Sequence, residues 1–155
     1  MRPTDLTAAA LITALWVVLM CAIPVKAVEI TPQFLAALSW VESKHNPNAV
    51  GDNGKALGCF QLHKIHVRDV NRIIGREQYT YADRRNPRKS AEMVVIYLNY
   101  YGRLYERKTG KKATFEILSR IHNGGPNGWT KVRATNSHWR KVKSALAKIQ
   151  KGKIK

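Results

Sequence analysis

The chain has 155 residues, with 27 Lys and Arg against 10 Asp and Glu and a formal charge of +17. That length admits one small domain and excludes two of ordinary size. So positive a field draws polyanions, among them nucleic acid, anionic lipid and the anionic bacterial wall, and charge alone does not choose between them.

The N-terminal stretch reads as a targeting segment. No charged residue occurs from Leu6 to Val25, Arg2 lies upstream, and Val25-Lys26-Ala27 offers small side chains where a leader peptidase requires them. Cleavage is therefore placed after Ala27, leaving residues 28–155 as the domain. The alternative is an uncleaved inner-membrane anchor, because about 18 apolar residues can span a bilayer; Asp5 is unusual for a signal n-region. Met20 stands where a lipoprotein signal needs a small residue, which speaks against acylation of Cys21. Loss of Arg2, Lys26 and Asp5 lowers the charge by only one. Export predicts a periplasmic or extracellular protein and argues against nucleic acid as its working target. Cys59 is then the sole remaining cysteine, so no intramolecular disulfide forms and the hydrophobic core alone must hold the fold.

Thr31-Pro32 is a helix start, with Phe34, Leu38 and Val41 at core spacing and a stop near Asn46-Pro47. Asn48 to Leu57 carries Gly51, Asp52, Asn53 and Gly54 without periodicity and reads as a turn-rich loop or small hairpin. A helix is predicted from Leu62 to Ile74, ending at Gly75. Asn86-Pro87 opens the longest helix, reaching about Lys108 before Gly110. Thr114 caps a short helix, and the glycine-rich run Asn123 to Gly128 reads as a loop. The last helix is predicted to begin near Ser137, with Trp139, Val142, Leu146 and Ile149 on one face and lysines on the other. There is no internal repeat and no long strand. The fold class is mostly α.

Glu42 shares a helix face with Leu35 and Leu38, beside the core and near the helix C-terminus. Desolvation and the negative end of the helix dipole both disfavour its ionised form, which predicts a raised pKa suited to a general acid. The alternative is a surface glutamate whose stem packs at the core edge. Asp52, ten residues on in a polar turn, is expected to stay ionised, and two carboxyls in opposed environments supply an acid and a charge stabiliser. Its alternative is a turn aspartate bonding its own backbone. His45, His63 and His66 match no zincin spacing, so neither a metal nor another cofactor is expected. Of Tyr97, Tyr100, Tyr101 and Tyr105, most are expected in the core and one at a cleft.

Three short runs, Glu42-Ser43, then Gly58-Cys59-Phe60-Gln61-Leu62, then His122-Asn123-Gly124-Gly125, resemble the three-motif pattern of the lysozyme superfamily. In lytic transglycosylases these are a Glu-Ser pair at a helix end, a Gly-Leu-Met-Gln-Ile-like stretch and a Tyr-Asn-x-Gly-like loop. The run Ile121 to Gly128 is closer to invertebrate-type lysozymes, which also place an aspartate near the position of Asp52. The likeness spans roughly Thr31 to Trp129. The chain departs from the disulfide-rich lysozymes in its cysteines, and from the transglycosylases in having His122 for tyrosine.

The resemblance implies a lysozyme-like single domain that cleaves the MurNAc-GlcNAc β-1,4 bond of peptidoglycan strands. Glu42 would be the general acid, and Asp52 would stabilise or attack the oxocarbenium-like centre if the reaction is a retaining hydrolysis. Substrate contacts would come from Ser43, Gln61, His122, Asn123 and Gly124, with Ser43 bracing the loop or the Glu42 carboxylate and His122 able to bond Glu42. Gly124 and Gly125 would supply backbone freedom near the sugar. Whether water or the sugar's own hydroxyl captures the intermediate stays open. The protein is expected to act as a monomer on glycan strands. The alternative is a catalytically inactive cationic wall- or membrane-binding protein, motivated by the positive field and the amphipathic last helix.

Overall fold

The computed structural model describes residues 29–154; the expected signal segment, its cleavage point and Cys21 lie outside the described residues. Helix α1 (Pro32–Ser43) begins where Thr31 Oγ1 accepts from the Phe34 N–H at 3.2 Å, with Pro32 at the first helical position. It ends sooner than Asn46-Pro47 suggests. Lys44 is left-handed (φ 58°), and the N–H groups of Lys44 and His45 donate to the Trp40 and Ser39 carbonyls, a Schellman closure that leaves Glu42 in the last turn.

The expected small hairpin follows. Strands β1 (Val50–Gly51) and β2 (Ala56–Leu57) are antiparallel, with Val50 opposite Leu57 and Gly51 opposite Ala56, and a 3-10 turn, Asp52–Gly54, joins them. Helix α2 (Lys64–Ile74) ends on left-handed Gly75. Helix α3 (Pro87–Thr109) starts under an Asn86 cap and stops at left-handed Gly110. Helix α4 (Phe115–Gly124) is capped by Thr114 and runs further than expected, so His122, Asn123 and Gly124 form its last turn rather than a loop. Helix α5 is Val132–Gln150.

The start of α5 corrects the reading from Ser137. Lys131 at its N-terminus offers no side-chain cap, so the sequence carries no start signal there. The first turn is secured from outside: Arg120 Nη1 donates to the Val132 carbonyl and to Thr135 Oγ1, each at 2.8 Å, while Glu116 accepts from the same guanidinium. Arg120 is buried, and its neutralising partner lies one helical turn away on α4.

The described residues thus form a mostly helical domain around one core, as the sequence predicts. Phe34 and Leu38 of α1, Met93, Val94 and Leu98 of α3, and Leu118 and Ile121 of α4 are fully buried there, with Val67 and Val70 of α2 and Val142 of α5 closing its sides. Phe34 stacks on Phe115 at 4.5 Å, fastening the start of α1 to that of α4. Cys59 is a buried free thiol, raised by burial, whose Sγ donates to the His45 carbonyl at 3.3 Å. Among the described residues no helix is long and apolar enough to cross a membrane.

One buried cation fixes the hairpin. Arg84 donates to the carbonyls of Tyr81, Lys55 and Leu62 at 2.8–3.1 Å, tying residues before and after β2 to the segment before α3. Burial without a carboxylate partner lowers its pKa, yet every contact is a charge-assisted hydrogen bond. Arg84→Ala strands these carbonyls and is expected to reduce the unfolding free energy by roughly 3 kcal/mol, read from urea denaturation.

Candidate active site

The last turn of α1 and the last turn of α4 converge on one side of a cleft of about 490 Å³, and the hairpin and α2 form the other. Glu42, Asp52, Gln61, His122 and Asn123 all line it, with His66 and Tyr97 also on its wall. Five of the seven site residues expected from the sequence therefore come together in space, although 81 positions separate Glu42 from Asn123.

Glu42 is 18% exposed. His138 Nε2 lies 2.9 Å from its Oε1, and His122 Nε2 lies 3.4 Å from the same oxygen. Oε2 makes no hydrogen bond to a described residue, so both imidazoles gather on one carboxyl oxygen. Behind the pair, the Ser119 hydroxyl is 3.0 Å from His138 Nδ1. Burial pushes the Glu42 carboxyl up, as expected. Hydrogen bonds and charge from His122 and His138 outweigh that push and hold it at about 2. The expected raised value is therefore corrected: in the free protein Glu42 is ionised.

Asp52 sits in the exposed 3-10 turn with left-handed backbone (φ 47°), and its Oδ2 lies 3.4 Å from His63 Nε2. The two carboxyls thus occupy opposed surroundings, one buried and one more than half exposed. Gln61 is also left-handed (φ 49°); its Nε2 donates to the Gly58 carbonyl at 3.0 Å, which turns Oε1 against Gly51. A side chain at position 51 would collide with that oxygen, so the glycine makes room for the amide.

Ser43 and Gly124 do not line the cleft. The Ser43 hydroxyl donates to the Cys59 carbonyl at 2.9 Å and so braces the loop, one of its two expected roles. Gly125 has the positive φ (81°) expected of this run, whereas Gly124 is helical; a Cβ there would press on Thr135 Cγ2 at 2.9 Å. Gly124 thus allows α5 to approach α4. His66 is stacked on Tyr97 at 4.2 Å and held uncharged, its pKa lowered to about 3 by burial first and by the charge of His122 second.

His138 was missed in the sequence. A signal was present: it precedes Val142 by four residues and so shares a face with Val142 and Leu146, a titratable group on an apolar stripe.

The family described as Transglycosylase SLT domain matches residues 22–148. The chain belongs to this family. A curated relative, a lysozyme of Ostrea edulis, is 33% identical over 94 residues, covering 59% of this chain and 63% of its own length. The chain therefore spans less than two thirds of that lysozyme. No solved structure matches.

The Glu42 contacts carry a stability consequence. The folded-state value of about 2 lies below the ordinary 4.5, so ionised Glu42 stabilises the fold above pH 4.5, and this benefit is lost as pH falls through 2. A difference of that size corresponds to roughly 3 kcal/mol. Glu42→Gln is expected to be less stable than the parent at about pH 5 and to converge with it near pH 2, as read by urea unfolding across a pH series.

Proposed function

We propose that this protein is an exported enzyme that cleaves the MurNAc-GlcNAc β-1,4 bond of peptidoglycan, with Glu42 as general acid. The observation that carries the reading is a mostly buried carboxylate lining a cleft, with one oxygen held by two imidazoles and the other without a hydrogen bond to a described residue. Family membership and the likeness to a lysozyme support the substrate class.

In this reading a glycan strand fills the cleft, and protonated Glu42 gives its proton to the glycosidic oxygen as the bond breaks. Asp52, facing the same cleft from the hairpin, stabilises or attacks the oxocarbenium-like carbon. Gln61 presents its amide to an acetamido group, and Asn123 binds the strand at the rim. His122 orients Glu42, Ser43 keeps the Cys59 segment in place, and Gly124 sets the distance between α4 and α5. The positive surface, including the Arg133, Arg140, Lys141 and Lys148 face of α5, raises the local concentration of an anionic wall around a cleft that does the cutting.

Two outcomes are open to the intermediate. Capture by water leaves a reducing end; capture by the sugar's own 6-hydroxyl leaves a 1,6-anhydro end. Mass spectrometry of released muropeptides separates them. Glu42→Gln is expected to fold, retain glycan binding and lose about 10²–10⁴-fold in muropeptide release. Release at the parental rate by this variant would refute the assignment.

A further inference from the structure

We propose that His138, held by Ser119, is the proton reservoir of the site, keeping a proton beside Glu42 and handing it to the carboxylate when a glycan fills the cleft. The inference rests on Glu42 being the acid. It answers a difficulty that the geometry creates, because a carboxyl ionised in the free enzyme must acquire a proton before it can donate one.

The two imidazoles on Glu42 are not equivalent. His138 has both ring nitrogens partnered, Nε2 to Glu42 Oε1 at 2.9 Å and Nδ1 to Ser119 Oγ at 3.0 Å. A doubly protonated ring there donates at both ends, with its side chain only 10% exposed. His122 Nδ1 is buried and meets no acceptor among the described residues, so a second proton on that ring would have no partner. Of the two rings, His138 is therefore the one with a partner waiting at each nitrogen for an additional proton. The other titratable groups around the pair do not compete for the role. His66 of α2 lies beyond His122 and is kept uncharged by burial, Asp69 is engaged by Arg72 and Tyr101, and Asp52 at the cleft mouth faces His63. Lys131, before α5, donates to the Gly124 carbonyl.

With the cleft open to solvent, the ion pair of Glu42 carboxylate and His138 imidazolium is favoured. A glycan that excludes water removes solvation from both charges, and the neutral pair becomes the better state. The Nε2–H bond of His138 breaks, its electron pair stays on nitrogen, and an O–H bond forms at Oε1. A half-turn about the Glu42 Cγ–Cδ bond, a soft two-fold torsion, presents that proton to the cleft. Glu42 then protonates the glycosidic oxygen, which leaves with the electron pair of the broken C–O bond. The hydroxyl that captures the sugar, from water or from the sugar itself, returns a proton to Glu42 and thence to His138.

The test is the pH profile of kcat and KM for muropeptide release by the full chain, for the parent, His138→Gln, Ser119→Ala and Glu42→Gln. Glutamine keeps an N–H donor toward Glu42 and cannot store a proton. The parent is expected to lose activity on the alkaline side at or above the ordinary histidine range of about 6.5, and His138→Gln to lose it roughly two pH units lower, toward the carboxylic range. At neutral pH its kcat is expected to drop at least about 10-fold with KM within about 2-fold. Ser119→Ala should shift the alkaline limb in the same direction by less. Alkaline limbs of His138→Gln and Ser119→Ala that coincide with the parent's overturn the proposal, and Ser119→Ala alone decides if His138→Gln does not fold. A lytic Glu42→Gln would instead refute the underlying assignment of the acid.

Discussion

A single carboxyl oxygen, Glu42 Oε1, lies where three helices meet: α1 supplies it, and α4 and α5 each bring an imidazole to it. Burial by itself would make that carboxyl a weak acid, and the two rings reverse the sign of the shift. Much of the surrounding architecture keeps those three helix ends in register. Phe34 stacked on Phe115 joins the starts of α1 and α4, and Gly124 lets α5 come close. Arg120 spans from Glu116 to the first turn of α5 through Thr135 and Val132.

The opposite bank of the cleft is built by other means. The hairpin is only two residues per strand, too short to hold its own shape. Arg84, inserted beneath it, makes the hairpin an extension of the helical domain by collecting its carbonyls. Left-handed backbone at Asp52 and Gln61 accompanies polar side chains on the cleft wall instead of in the core. Such conformations cost free energy and persist only where neighbouring contacts determine them, as Gly51 and the Gly58 carbonyl do for Gln61.

Element types were largely legible in the sequence because their signals are local. Thr31-Pro32, Asn86-Pro87, Thr114, Gly75 and Gly110 each mark a helix end where the structure has one. The cleft's membership was legible through three short motifs, which brought together Glu42, Gln61, His122 and Asn123 before any geometry was known. What escaped were features settled by tertiary partners. The first turn of α5 has no cap of its own and depends on Arg120, so no local pattern announces it. The direction of the Glu42 shift depends on His122 and His138, 80 and 96 residues away, and a helix-by-helix reading sees only the desolvation half of the balance. Gly124, expected to give backbone freedom beside the sugar, is helical and is a spacer between α4 and α5.

The distance along the chain between Glu42 and His138 also sets an order of events during synthesis. The acid, the hairpin and the α4 turn are all made before Val132, while the His138 ring that bonds Glu42 arrives on α5. A chain ending before Val132 lacks the Val132 and Thr135 acceptors of Arg120 and the His138 partner of Glu42. The site is therefore complete only with α5 in place, and a chain cut short of it holds the motifs without the ring that joins them.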